Sequence, residues 1–270
     1  MLKFSIIFSL CFVVFLNNIA YSQDRIFART YQSLTLPKGS KDLEFWNTVN
    51  VGRANLYRKL KQRVEYEVGV TDNLTTAFYM NLEQKIQSDN GNSTLEATEL
   101  SFSNEWKYKL MDPVADPFGF AVYSEYTIAA HELELELKLI LDKKIGDNYF
   151  ALNATYEPEW EWSLANNLES VSLKSGLDLN VGYMNFVSKN FGIGLEAINY
   201  NTISNGELDH SALFIGPTIT FIGDRWWVIL NALPQITKLY ASQEVDKSRS
   251  LILTEREKFE FRMIFSVNLQ

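Results

Sequence analysis

Glu132-Leu133-Glu134-Leu135-Glu136-Leu137-Lys138-Leu139-Ile140-Leu141-Asp142 decides how this chain is read. Leucine holds every odd position from 133 to 141, and charge holds almost every even one. A period of two places the leucines on one face of a β-strand and the charges on the other. Wound as a helix, the same residues would scatter around the axis. The next run obeys the same rule. Phe150, Leu152, Ala154, Tyr156, Trp160 and Trp162 alternate with Asn153, Thr155, Glu157, Glu159 and Glu161.

The pattern extends in both directions. Val64, Tyr66 and Val68 alternate with Arg63, Glu65 and Glu67. Leu100, Phe102, Trp106 and Tyr108 alternate with Glu99, Ser101, Glu105 and Lys107. Leu173, Leu177 and Leu179 alternate with Lys174, Asp178 and Asn180, and Phe259 to Leu269 repeats the rule around Arg262. Twelve strands are predicted, near 42–53, 58–70, 74–86, 94–109, 118–128, 131–143, 148–162, 169–184, 190–201, 209–221, 225–237 and 254–269. Many exceed the five or six residues usual in soluble sheets, and they match the roughly 9–11 needed to cross a bilayer at a tilt.

Connections fall into two sets. Tight turns are expected at Thr71-Asp72-Asn73, Gly146-Asp147, Ser188-Lys189-Asn190 and Gly223-Asp224, with a proline-containing one at Asp112 to Pro117. Longer polar loops are expected at Gln84 to Ser93, Ser163 to Leu168, Asn201 to Asp209 and Lys238 to Leu253. Short connections on one side and longer ones on the other describe an outer-membrane barrel. The even spacing of the tight turns also resembles propeller blades, but a blade holds four short strands and each unit here holds two long ones. Tyr108, Phe118, Tyr149, Phe191 and Trp226 are expected at one membrane interface, and Tyr126, Trp160, Trp162 and Tyr200 at the other. The prolines in Gly216-Pro217 and Leu233-Pro234-Gln235 predict bulges inside strands.

The chain opens with Lys3, an apolar run from Leu2 to Leu16, and the small-residue site Ala20-Tyr21-Ser22. These features predict a secretory signal peptide over residues 1–22. Its removal takes away Cys11, the only cysteine of 270 residues, and with it any disulfide framework or thiol nucleophile. Residues 23–41 are read as a periplasmic segment or partial plug carrying Arg25, Arg29, Lys38 and Lys41, and 42–270 as the barrel. The net charge of −8 argues against nucleic acid as a partner. A mean hydropathy near neutrality fits a barrel whose outer wall is apolar and whose inner wall is polar.

The sharpest feature is acidic. A two-residue turn at Gly146-Asp147 would place Glu132 opposite Glu161, Glu134 opposite Glu159, and Glu136 opposite Glu157. Like charges directly opposed destabilise a sheet, so compensation is required. Water and the inward-pointing Arg63, Lys107, Lys138, Lys174 and Arg262 are expected to supply it. The sharper alternative is a cation-attracting pore or a hard-cation site, because carboxylate oxygens suit calcium or magnesium. No calcium-loop motif is present, and no cofactor is expected. An enzyme is the competing class, since some outer-membrane barrels are lipases that use serine and histidine. The chain offers only His131 and His210, both expected at the surface. Ser211 adjoins His210 but points to the opposite face, and no nucleophile-elbow motif is present.

Met111-Asp112-Pro113-Val114-Ala115-Asp116-Pro117-Phe118-Gly119 resembles the "LLDPVADPVG" connection of a family of uncharacterised bacterial outer-membrane barrels. Glu134 to Ile140, Tyr156 to Glu161, Leu213 to Thr218, and Trp226-Trp227 with Leu233-Pro234-Gln235 resemble it too. The likeness covers most of the chain after residue 22. It implies an integral outer-membrane barrel of Gram-negative type, loosely similar to transporters linked to phenol degradation. Outer-membrane lipid and the barrel-assembly machinery are the implied partners, and the resemblance transfers no catalytic residue. Many such barrels end in an aromatic, whereas this chain ends Asn268-Leu269-Gln270, with Phe265 its last aromatic. Porin-like passive transport or binding of a small solute or cation is the expected function. A closed structural barrel is the alternative.

Overall fold

A computed structural model describes residues 25–89, 93–165, 168–242 and 250–269. The predicted signal peptide lies outside the described residues. Twelve antiparallel strands close into a barrel in which each strand pairs with its sequence neighbours and the last returns to the first. They are β1 (Lys41–Val51), β2 (Tyr57–Thr71), β3 (Leu74–Asp89), β4 (Ser93–Met111), β5 (Gly119–Ile128), β6 (Glu132–Ile145), β7 (Asn148–Ala165), β8 (Leu168–Ser188), β9 (Phe191–Ser204), β10 (Glu207–Ile222), β11 (Trp226–Ala241) and β12 (Phe259–Asn268). Closure removes the free edges that an open sheet would present.

Polarity is inverted relative to a soluble domain. Outward positions carry exposed Phe78, Met80, Phe102, Leu137, Leu139, Leu152, Leu179, Leu195 and Met263. Inward positions carry buried Glu65, Glu105, Glu125, Asn153, Glu196, Thr218 and Ser266. An apolar exterior over a polar interior is the requirement of a bilayer-spanning barrel.

One end of the barrel, the turn end, has tight connections. Gly146-Asp147 closes the β6–β7 hairpin with Ile145 opposite Asn148, and φ is positive at Gly146 alone. That combination marks a type II′ turn. In the Asp112 to Pro117 connection, Asp112 Oδ1 accepts the amides of Val114 and Ala115, while the Asp112 amide donates to Asp116 Oδ2. The motif that carries the family likeness is therefore a self-capping turn.

Several expectations fail at the other end, the loop end. The polar stretch 201–209 is no loop: β9 and β10 continue to Ser204 and Glu207 and close on Asn205-Gly206, both with positive φ. This Asn-Gly pair is a strong type I′ hairpin signal that the polarity of its flanks obscured. Pairing also extends to Asp89↔Ser93 and Ala165↔Leu168, so two more expected loops become tall hairpins. The long connection is 242–258, and β12 starts at Phe259 rather than 254. Its last part folds inward. The Gln235 side-chain amide donates to the Ile252 and Glu257 carbonyls and accepts from the Ile252 amide. Ile252 is fully buried against Phe214 and Leu233.

The strand prolines interrupt pairing without shifting it. Between Phe214↔Gln235 and Thr218↔Asn231 no partners register around Pro217 and Pro234, yet the offset is unchanged. The bulges lie just before, at 211/212 and 213/214. Two expected belt aromatics face the lumen instead. Tyr149 packs on Phe186 beside Phe27, and Tyr200 packs edge-on against buried Phe214. The outward Tyr108, Phe118, Tyr126 and Trp226 remain exposed.

Candidate functional site

The lumen divides into two halves of different chemistry. Residues 25–36 run inside the turn-end half, and Pro37 and Lys38 emerge at its rim. Phe27, Ala28, Thr30 and Ser33 have no exposed surface. Glu196 on β9 holds the segment at its centre. Its carboxylate accepts the backbone amides of Ala28 (3.0 Å), Arg29 (2.7 Å) and Thr30 (2.8 Å), and the Thr30 hydroxyl (3.1 Å). A single carboxylate thereby satisfies three consecutive N–H groups that no strand serves.

Other walls complete the cradle. Asn153 on β7 accepts the Tyr31 amide at 2.6 Å and donates to its carbonyl at 3.0 Å, copying a strand partner with a side chain. Asn180 donates to the Arg29 carbonyl, Thr220 to that of Ile26, and Arg262 to that of Ala28. Arg29 pairs with Glu260 at 2.9 Å. Arg25 lies over the rings of Tyr31 and Trp46, at 4.0 and 4.6 Å. Two glycines leave the necessary room. A Cβ at Gly182 would meet the Phe27 ring at 3.0 Å, and one at Gly69 would meet the Pro37 carbonyl oxygen at 2.1 Å.

The loop-end half is open. It contains a cavity of about 680 Å³ whose lining includes Arg29 and Tyr31 of the N-terminal segment. Glu132, Glu134, Glu136, Glu157, Glu159 and Glu161 all line it. Glu132 faces Glu161 and Glu134 faces Glu159 across the β6–β7 ladder. Glu136 and Glu157 are not a ladder pair: registration lapses there and resumes at Leu137↔Tyr156 with the same offset. Pro158, which has no N–H to give, sits in the gap. Carboxylate oxygens of Glu132, Glu134 and Glu159 lie within 4.8 Å of one another, as do those of Glu134, Glu136 and Glu157.

The basic side chains divide unexpectedly. Lys138 bonds Glu136, and Lys174 lies 3.9 Å from Glu161. The other three serve other partners. Arg63 binds Glu125 at 3.2 Å and Asn81 at 2.7 Å. Lys107 is buried near Glu67 at 3.9 Å, outside the cavity lining. Arg262 donates to Thr48 Oγ1 and to the N-terminal segment.

Reading the lumen as simply acidic needs correction. Thirteen carboxylates and ten lysine or arginine cations line the cavity, unevenly distributed around it. Glu99, Glu125, Asp178 and the six glutamates of β6 and β7 occupy one side. Arg53, Lys59, Lys61, Arg63 and Lys85 come from β2, β3 and the β1–β2 connection, and Arg256 and Arg262 from β12 and its approach. Glu83, Glu255 and Glu260 also line that basic side, as does Glu257, outside the strands. Burial alone would raise its pKa, but Arg53, 2.8 Å away, holds it below the ordinary glutamate value.

The two histidines separate. His131 is exposed, as expected. His210 is buried, because its ring is captured on both edges. Nδ1 contacts Asp209 at 3.0 Å, and Nε2 accepts from Arg256 Nε at 3.2 Å. Ser211 is turned away and accepts from Asn199. Among the described residues, neither ring nitrogen of His210 meets a hydroxyl nucleophile.

Glu196, Gly182 and Arg256 were not singled out from the sequence. Asn153 and Asn180 appeared only as polar members of alternating runs. The missed signal was an unusual run of small and amide side chains inside long strands, which makes space and hydrogen bonds for a second chain segment.

Solved structures resemble this fold at very low identity. The NanC porin shares 9% identity with a TM-score of 0.54, covering 84% of this chain and 100% of its own. The KdgM porin shares 8% with a TM-score of 0.50, covering 85% and 99%. The translocator domain of the autotransporter NalP from Neisseria meningitidis shares 10% with a TM-score of 0.54, covering 85% and 88%. These likenesses establish an outer-membrane-type barrel. No curated protein matches the chain. The model of the family of unknown function DUF6662 matches residues 19–269, so the chain belongs to that family.

Proposed function

We propose that this barrel admits a small hydrophilic solute from outside the cell and passes it toward the periplasm by way of the N-terminal segment. The observation that carries the reading is the charged cavity of about 680 Å³ above residues 25–36. A barrel built only to span the membrane has no use for such a chamber, and opposed glutamates in its wall cost stability. The loop end faces outward in this reading, because short turns belong to the periplasmic side. The six glutamates act as the cation-attracting wall, and Lys138 and Lys174 moderate it. Residues 25–36 act as a partial plug.

A lipid-acting enzyme is disfavoured by the capture of His210 between Asp209 and Arg256. The closed structural barrel remains the competing reading, and one experiment separates the two. Single-channel conductance is measured for the purified barrel and for Glu196→Ala, with heat-modifiable gel migration confirming the fold. Small or intermittent openings are expected for the native chain and larger ones for the variant. A folded variant that carries no current would leave the structural reading standing.

A further inference from the structure

Arg256 lines the cavity, but its guanidinium is tied to the wall. Nε donates to His210 Nε2 at 3.2 Å, Nη2 donates to Thr202 Oγ1 at 2.9 Å, and the group lies 4.7 Å from the centre of the Tyr200 ring. The first bond fixes the state of the imidazole. Guanidinium only donates, so Nε2 is the unprotonated nitrogen. Nδ1 then carries the proton that Asp209 Oδ2 accepts at 3.0 Å.

Protonation of His210 converts that acceptor into a donor. Two cationic donors then face each other, and one must leave. The surroundings decide which. Asp209 is fastened by Ser242, whose hydroxyl donates to Oδ1 at 2.8 Å and whose amide donates to the Asp209 carbonyl at 2.8 Å. A protonated imidazole therefore keeps a charged partner. The ladder neighbours of His210, Thr202 on β9 and Ala241 on β11, carry no charge. Glu255, on the approach to β12, also acts on the ring and attracts its protonated form. Arg256 is the group repelled.

A second carboxylate is ready to receive it. Asp178 on β8 lines the same cavity and forms no ion pair among the described residues. Its Oδ1 accepts the Asn201 amide at 3.1 Å, one residue from the Thr202 that Arg256 already touches. The backbone need not move. The Gln235 side chain, and the Lys258 amide bonded to the Gly52 carbonyl, hold 252–258 without His210.

We propose that His210 is a proton-operated latch on Arg256. Neutral, it stores the guanidinium against the wall. Protonated, it releases it toward Asp178 and the acidic side of the vestibule, so acid reduces the cation preference of the lumen. The effect on passage rests on the solute-uptake reading and adds its regulation.

The test has two arms. The chain has only two histidines, so the ring-nitrogen resonances of an isotope-labelled, detergent-solubilised barrel are assigned with His131→Gln. His210 should show the Nδ1–H tautomer alone at about pH 8 and the protonated ring by about pH 5. A mixture of tautomers, or a ring still neutral at the lower pH, overturns the latch. The second arm is the reversal potential in a planar bilayer over the same range. Lumen carboxylates titrate in every variant, so the comparison isolates the latch. The cation-to-anion permeability ratio should fall with acid in the native barrel. His210→Gln, whose amide oxygen still accepts from Arg256, and Arg256→Gln should each lose the same part of that fall, and the double variant should lose no more. Arg256→Gln leaves His210 with Asp209, and it decides the matter if the histidine variant does not migrate as a folded barrel. Equal falls in the native chain and Arg256→Gln overturn the inference. A barrel with the expected tautomer that carries no current removes transport and leaves the latch.

Discussion

The turn-end and loop-end halves of the lumen are lined by the same kind of residue on the same strands, yet one is filled and the other is open. In the turn-end half, Glu196, Asn153, Asn180 and Thr220 spend their polar atoms on the backbone of residues 26–31. In the loop-end half, Glu132, Glu134, Glu159 and Glu161 face one another across a cavity. Inward polarity therefore has two uses. Where a second chain segment is present, polar side chains complete its hydrogen bonds and the lumen closes. Where none is present, like charges accumulate and water must screen them. The distinction lies in what the polar groups face, which alternation along one strand cannot reveal.

Removing Glu196 breaks the contrast most directly. Glu196→Ala leaves three buried amides of the segment without an acceptor, and each charge-assisted bond is worth about 1.5–3 kcal/mol. Arg25 and Arg29 are buried in the native chain, so trypsin should spare them. In the variant, both should become cleavable in detergent at a protease concentration that leaves the barrel intact. Continued protection would mean that the segment is held by shape alone.

This prediction also marks the limit of the sequence. The wall was legible because strand periodicity is local. The run from Glu132 to Asp142, the turn at Gly146-Asp147 and all twelve β6–β7 pairings, which keep the one offset that turn sets, follow from neighbours in the chain. The filling was not legible. Glu196 meets Ala28 across 168 positions, and nothing near Glu196 announces a partner. Loop heights failed for a different reason. Outside the membrane a strand can be polar on both faces, so Asn201 to Asp209 looks like a loop until its Asn-Gly turn is recognised. The basic partners failed because inward direction does not fix height: Lys107 and Glu134 both point inward, but Lys107 lies in the filled half with Glu67.

Neutralising the opposed acids sharpens the contrast from the other half. Glu134→Gln with Glu159→Gln removes a like-charged ladder pair, which should stabilise the barrel by up to about 1 kcal/mol. The cation-to-anion permeability ratio in a planar bilayer should fall in the same variant. The trypsin protection of Arg25 and Arg29 should not change, because neither glutamate touches the segment. Unchanged selectivity would remove the six glutamates from the conducted path.

A local lesion in the loop-end half should stay local. Gly206 has φ of +81° in the β9–β10 turn. Alanine there would cost about 1 kcal/mol, since a Cβ disfavours the left-handed region. Hydrogen exchange should accelerate at Ser204 and Glu207 and remain slow at Ala28 and Thr30. Acceleration at both ends would show that the halves unfold together.

The smallest effect is expected at the rim, where pH reports on residues 250–258. Burial would raise Glu257, but Arg53 outweighs it and holds the carboxyl below its ordinary value of 4.5. A carboxyl depressed in the folded state stabilises that state fully above the unfolded value, and the contribution fades as pH falls through the folded one. The inward fold of 250–258 should therefore be pH-independent at neutrality and loosen only below about pH 4.5. Ile252 and Gln235 should retain part of the docking through their hydrogen bonds at 2.6 and 3.0 Å. A spin label at Ser250 should gain mobility in that acid range, and Arg53→Gln should abolish that acid response, because burial then no longer leaves the carboxyl depressed. An onset unaffected by Arg53→Gln would assign the rim's closure to Gln235 and Ile252 alone. The loop-end half would then be held by the same side-chain-to-backbone bonding that fills the turn-end half.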